Sequence, residues 1–130
     1  MAKRVLLDTH VVIEIGSTGG LESMPARVRR ILEDPDIELL FSVVSRAEVA
    51  IKNAIGKLQL GKDELAAICE NASIDSYSLR QPHIDRLIEL PLHHKDPFDR
   101  LIISTALSDE IPLITRDSHF RKYKGLKVIW

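Results

Sequence analysis

Four carboxylates, Asp8, Glu48, Asp99 and Asp117, stand where an acid is poorly explained by solvation alone. Asp8 closes the apolar run Val5-Leu6-Leu7, and Asp117 follows the pair Leu113-Ile114 by three residues. Glu48 and Asp99 fall on the apolar side of expected helices, where a charged carboxylate is costly without a partner. Asp99 is the sharpest case, because Ile102, Ile103, Ala106 and Leu107 follow it at helical spacing. Brought together, four acids would repel one another unless a divalent cation joined them. The pattern therefore points to a metal-dependent enzyme.

Each acid also has a structural alternative. Asp8 before Thr9 is a good N-cap for a first helix, and Asp117 before Ser118-His119-Phe120 could cap a short one. Glu48 completes Ser45-x-x-Glu48, the spacing of a capping box, and precedes Lys52 by the four residues of a helical ion pair. Asp96, one residue before Pro97, also reads as an N-cap. Only the conjunction favours a metal site.

Rival chemistries lack their signatures. His93-His94 beside Asp96 makes zinc conceivable, but adjacent side chains point apart and no H-E-x-x-H spacing occurs. There is no G-x-S-x-G elbow and no phosphate-cradling G-x-x-x-x-G-K-[ST] loop. His10 occupies the second acidic position that a D-x-D phosphatase needs. A phosphoryl-accepting receiver domain fits poorly with the helix that Asp99 leads. A non-enzymatic alternative is a nuclease-like fold kept for binding RNA or a partner, and the intact set of four acids argues against it.

The elements that must position these acids alternate along the chain. Arg4 to Asp8 reads as a buried strand, followed by a helix through Val11, Val12 and Ile15 that ends in Gly16-Ser17-Thr18-Gly19-Gly20. Pro25 opens a helix over Ala26–Glu33, and Ile37–Phe41 is a second strand. Ser42 or Ser45 caps a helix to Ile55, with an apolar stripe Ala47, Ala50, Ile51, Ala54, Ile55 and Leu58 expected to face the core. Asp63 is expected to cap a helix over Glu64–Glu70, and Ile74–Tyr77 to form a third strand. Helices over Pro82–Leu90 and from Pro97 follow, then strands at Pro112–Thr115 and Lys127–Trp130 around a short helix at Asp117–Tyr123. Strands separated by helices predict a single α/β domain over residues 1–130, with a central parallel sheet flanked by helices. In such sheets ligands bind outside the carboxyl ends of the strands, where Asp8 and Asp117 fall.

Composition sets outer limits. A net charge of −1 gives no global pull toward nucleic acid, although Arg27, Arg29 and Arg30, then Lys52, Lys57 and Lys62, then Arg121, Lys122, Lys124 and Lys127 form local clusters. The start Met1-Ala2-Lys3-Arg4 leads into only three apolar residues, and no stretch approaches the roughly 18 apolar residues of a membrane span. The single cysteine, Cys69, excludes an internal disulfide and reads as a small buried apolar residue. These features fit a cytoplasmic protein without membrane contact.

The pieces resemble PIN-domain ribonucleases over nearly the whole chain, and most of all the VapC toxins of VapBC toxin–antitoxin pairs. The resemblance is carried by Leu6-Leu7-Asp8-Thr9-His10, by Ser42-x-x-Ser45-x-x-Glu48-x-x-x-Lys52, by His94-x-Asp96-Pro97-Phe98-Asp99-Arg100, and by Thr115-Arg116-Asp117 with the terminal Val128-Ile129-Trp130. It implies an α/β/α sandwich in which Asp8, Glu48, Asp99 and Asp117 surround Mg²⁺ or Mn²⁺ and catalyse endonucleolytic cleavage of RNA. Asp8 and Asp99 would be direct ligands, with Glu48 and Asp117 ligating directly or through water. Thr9, Ser45 and Asp96 would stand one shell behind. Lys52 and Arg116 would contact phosphate or pair with the acids. A homodimer and a small inhibitory VapB-like antitoxin are also implied. One departure stands out: many relatives carry an aromatic residue in the first helix, where this chain has Val12-Ile13-Glu14-Ile15.

Overall fold

The computed structural model of the chain describes residues 3–130; Met1 and Ala2, the start of the charged N-terminal segment, lie outside them. Its core is a five-stranded, wholly parallel sheet of order β3-β2-β1-β4-β5. The strands are β1 (Lys3–Leu7), β2 (Ile37–Ser42), β3 (Ile74–Tyr77), β4 (Leu113–Ile114) and β5 (Val128–Ile129). Helices α1 (Thr9–Ile15), α2 (Ala26–Glu33), α3 (Val43–Ala54), α4 (Lys62–Asn71), α5 (Gln81–Asp85) and α6 (Pro97–Asp109) cover it.

Alternation along the central strands builds the two halves of the core. Val5, Leu7, Leu39, Phe41 and Ile114 pack with Val11 and Val12 of α1, Val28 of α2, and Leu65 and Cys69 of α4. Leu6, Leu40 and Leu113 face the other way, onto Ile102, Ile103 and Ala106 of α6 and onto Phe120 and Tyr123. The sandwich expected from the sequence is the one observed. From β1 the chain builds β2 and β3 to one side, then returns to place β4 and β5 on the other. The carboxyl ends of β1 and β4 thus flank the point where the strand order reverses, the place where open parallel sheets leave a crevice.

Several local expectations need correction. In α3, Ile51 and Ile55 are 49% and 61% exposed, and Ala47, Ala50 and Ala54 lie on the same open face. The buried side is Val44, Ser45, Glu48 and Val49. Counting apolar residues selects the wrong face here because the inward side carries the polar groups of a site. The cap of α3 is Ser42, whose hydroxyl accepts from Val44 N at 3.0 Å, so Ser45 and Glu48 form no capping box. Elsewhere Gly61, not Asp63, precedes α4. The helix expected over Pro82–Leu90 is the short α5 followed by a 3₁₀ turn at Arg86–Glu89, and the one at Asp117–Tyr123 is a 3₁₀ turn over Ser118–Lys122.

Candidate active site at the strand ends

Asp8 is held directly at the switch point. Its amide donates to Ile114 O at 3.0 Å, continuing the β1–β4 ladder by one residue. Although it occupies the N-cap position of α1, its side chain makes no capping bond. Instead its Oδ2 accepts from Thr115 Oγ1 at 2.7 Å, across 107 residues. Asp8 is 5% exposed, and burial raises its pKa against the opposing effects of the Thr115 bond and the nearby His10. Thr115 Oγ1 also accepts from Asp117 N at 3.1 Å, tying the ends of β1 and β4 to the segment that carries Asp117.

Glu48 enters from the inner face of α3 and is 2% exposed. Its Oε1 accepts from Thr9 Oγ1 at 2.8 Å, and its Oε2 pairs with Lys52 Nζ at 2.7 Å. That hydrogen bond, reinforced by the charges of Glu48, Asp96 and Asp99, raises the pKa of Lys52 against the opposing effect of burial. Ser45, on the same buried side, has a hydroxyl with no hydrogen-bond partner among the described residues.

Asp96 caps α6 from an exposed position, accepting from Phe98 N at 2.8 Å and Asp99 N at 3.2 Å. Asp99, in the first turn of α6, accepts no side-chain hydrogen bond among the described residues. Burial first, then the charges of Asp96, Asp8, Glu48 and Asp117, push its pKa up to about 7. That dependence brings all four carboxylates and Asp96 into one electrostatic neighbourhood. Asp117 behaves oppositely. Burial pushes its carboxyl up, but bonds from His119 N at 2.9 Å and His119 Nδ1 at 3.0 Å outweigh that and hold it below the usual range. His94 Nε2 stands 3.6 Å from Asp117 Oδ2, beyond hydrogen-bond reach, and contributes only electrostatic support.

A 310 Å³ cavity opens here, with Asp8, Asp99 and Asp117 in its wall beside His10, Glu14 and Arg116. A larger cavity of about 960 Å³ lies at the opposite ends of β2 and β3, between α2 and α4, and holds none of the four acids. Of the two, only the smaller brings carboxylates of this set together. Among the described residues no three His, Cys, Asp or Glu side chains already close around a single point. Asp8, Asp99 and Asp117 line the crevice, and Glu48 stands beside them, paired with Lys52 and bonded by Thr9. Their donors are all oxygen, which suits a hard cation, and the unpartnered buried Ser45 hydroxyl is a further oxygen in want of a partner.

Sequence reasoning assigned no role to Thr115, His94 or His119. Thr115 was visible inside Thr115-Arg116-Asp117, but its bond to Asp8 depends on β1 and β4 being neighbours. His94 is placed by Tyr123, whose hydroxyl accepts from His94 N at 2.9 Å and lies 3.1 Å from its Nδ1.

Fold and crevice together define an α/β protein with a carboxylate centre at the switch point of a parallel sheet. The chain belongs to the PIN-domain family, whose model matches residues 5–126, and PIN domains are generally nucleases. No curated protein sequence is similar enough to count as a match. Among solved structures, the chain is similar to VapBC2 from Rickettsia felis bound to a promoter DNA fragment, with a TM-score of 0.70 at 13% identity over 97% of both chains. It is similar also to DNA-bound VapBC from Salmonella typhimurium (TM-score 0.65, 17% identity, 99% and 98% coverage). A toxin–antitoxin complex from Klebsiella pneumoniae gives 0.57 at 20% identity, covering 97% and 96%. At these identities the likeness is one of fold. Among the described residues no helix is long and apolar enough to cross a membrane.

Proposed function

We propose that this chain is a Mg²⁺- or Mn²⁺-dependent endoribonuclease of the VapC toxin type, neutralised by a small VapB-like antitoxin. The observation that carries the reading is the convergence of Asp8, Asp99 and Asp117 on one cavity, with Glu48 tied beside them through Thr9. Asp8 and Asp99 would hold the cation, with Glu48 and Asp117 completing the set directly or through water. Bound there, a divalent cation lowers the pKa of attacking water and neutralises charge developing on the phosphodiester. The chain's own part is orientation: Thr115 fixes Asp8, Thr9 and Lys52 fix Glu48, and His119 fixes Asp117.

The direct test is purified protein, freed of antitoxin, on structured RNAs with and without Mg²⁺ or Mn²⁺, beside Asp8→Asn. Metal-dependent cleavage that vanishes in the variant is expected. Equal cleavage by both proteins would sink the site, and no cleavage of any RNA would favour a binding module. Thr115→Val removes the hydroxyl that orients Asp8. Outer partners of this kind typically cost about 10–100-fold in metal affinity. The half-saturating Mn²⁺ concentration should rise accordingly, and an unchanged value would dismiss Thr115 as a supporting residue.

The open apolar face of α3 supports the homodimer reading, since Ile51 and Ile55 have no cover within one copy. Ile51→Glu is expected to shift the protein from dimer to monomer in light scattering. A wild-type monomer, or an unaffected dimer, would remove α3 from the interface.

A further inference from the structure

The acid-lined cavity has one basic wall, Arg116, the only Lys or Arg among its lining residues. Arg116 is 58% exposed, and among the described residues none of its N–H groups bonds Asp8, Asp99 or Asp117. Its Nη2 donates instead to Glu14 Oε1 at 2.9 Å, and its guanidinium sits 5.1 Å from the centre of the Trp130 ring. Nε and Nη1 donate to no protein acceptor among the described residues.

Glu14 is itself anchored. It lies in the last turn of α1, and the Ser23 hydroxyl sits between its Oε1 (3.1 Å) and the Gly20 carbonyl (2.7 Å). That approach needs a glycine at position 20, because a Cβ there would lie 1.8 Å from Glu14 O. The loop after α1 is thereby pressed against the helix end that carries Glu14. An Arg free to collapse onto Asp99 or Asp117 would compete with a cation for the same carboxylates. An Arg held by one edge and one face keeps a planar pair of donors for an anion.

We propose that Glu14 is a positioning residue which, with Trp130, holds Arg116 off the metal-binding acids and makes its free N–H groups a phosphate subsite. The phosphate bound there belongs to the RNA strand, one neighbouring the bond that is cut. This assignment rests on the nuclease reading for the identity of the ligand, but not for the existence of the subsite.

The test compares wild type with Arg116→Ala, Glu14→Ala and Glu14→Gln in two assays. The first is anisotropy of a fluorescent single-stranded RNA in EDTA between about 50 and 200 mM salt, and the second is cleavage kinetics against Mn²⁺ concentration. R116A is expected to weaken RNA binding about tenfold, with the slope of log affinity against log salt smaller by about 0.7, the share of one single-strand phosphate contact. E14A is expected to raise KM and the half-saturating Mn²⁺ concentration together, because Arg116 is released onto the acids. E14Q, which keeps an acceptor for Nη2, should recover most of both. Melting temperatures should stay within a few degrees, since an exposed ion pair contributes little to stability. RNA binding by R116A equal to wild type, or tighter binding by E14A, overturns the subsite. Loss of binding in R116A without cleavage by any protein, wild type included, supports the subsite and overturns the nuclease reading.

Discussion

Asp99→Asn is expected to abolish RNA cleavage and, in metal-free buffer, to raise the melting temperature. As a ligand of the proposed cation, Asp99 would help neutralise the transition state, and its loss would forfeit several kcal/mol, about a thousandfold in rate or more. Stability moves the other way because the carboxylate is held in a hostile place. Burial and the charges of Asp96, Asp8, Glu48 and Asp117 lift its pKa to about 7, so the native protein holds that proton more tightly than the unfolded chain does. Stability therefore falls as pH rises from roughly 4 to 7, the span between the unfolded and folded pKa values. Asparagine mimics the neutral acid and removes the fall. Each pKa unit is worth about 1.4 kcal/mol, and solvent screening at this partly exposed site reduces the gain to roughly 2 kcal/mol at pH 8. Thermal unfolding of both proteins in EDTA at pH 5 and pH 8 reads this directly. The variant's advantage should appear at pH 8 and shrink toward pH 5; an advantage of the same size at both pH values would contradict the assignment. Added Mn²⁺ should stabilise wild type far more than the variant.

Asp109→Asn, at the other end of the same helix, is expected to do the reverse: lower stability by about 2–4 kcal/mol while leaving cleavage per folded molecule intact. Asp109 accepts from Tyr77 Oη, from Arg80 Nη2 at 3.0 Å and from His83 Nε2 at 2.9 Å. His83 is fully buried, and its Nδ1 accepts from Arg80 N at 3.0 Å, which leaves Nε2 as the donor to Asp109. One carboxylate thus fastens α5 and the end of β3 to α6. Burial pushes the Asp109 carboxyl up, but the Tyr77 and His83 bonds and the charge of Arg80 outweigh it and hold the pKa below the usual value. Its stabilising effect is present above pH 4 and lost as pH falls through the lowered pKa. All three donors converge on one oxygen, Oδ2, and asparagine can offer only a neutral carbonyl oxygen there, losing the charge that strengthens each of these bonds. Urea unfolding at pH 7 is the measurement, and a change under about 0.5 kcal/mol would show that the cluster does not clamp the helix. Two acids on one helix thus have opposite effects on stability, one strained by its neighbours and one satisfied by them.

The order of strands and helices, the strand-end position of Asp8 and the cap at Asp96 all follow from local pattern. Apolar period and capping chemistry act within a few residues, so one chain displays them. The face of α3 did not follow, because periodicity reports where apolar side chains cluster, whereas this helix turns Ser45 and Glu48 inward and leaves Ile51 and Ile55 outside. The family resemblance named the four acids, yet no spacing revealed that Thr115 holds Asp8 or that Arg116 reaches past Asp117 to Glu14. Both contacts join residues more than a hundred positions apart and exist only because β4 lies beside β1. The sequence by itself determined which groups can do the chemistry and which elements carry them. The order of the sheet, fixed by long-range pairing that local patterns do not encode, decided which acids share the crevice and which cation stands beside them.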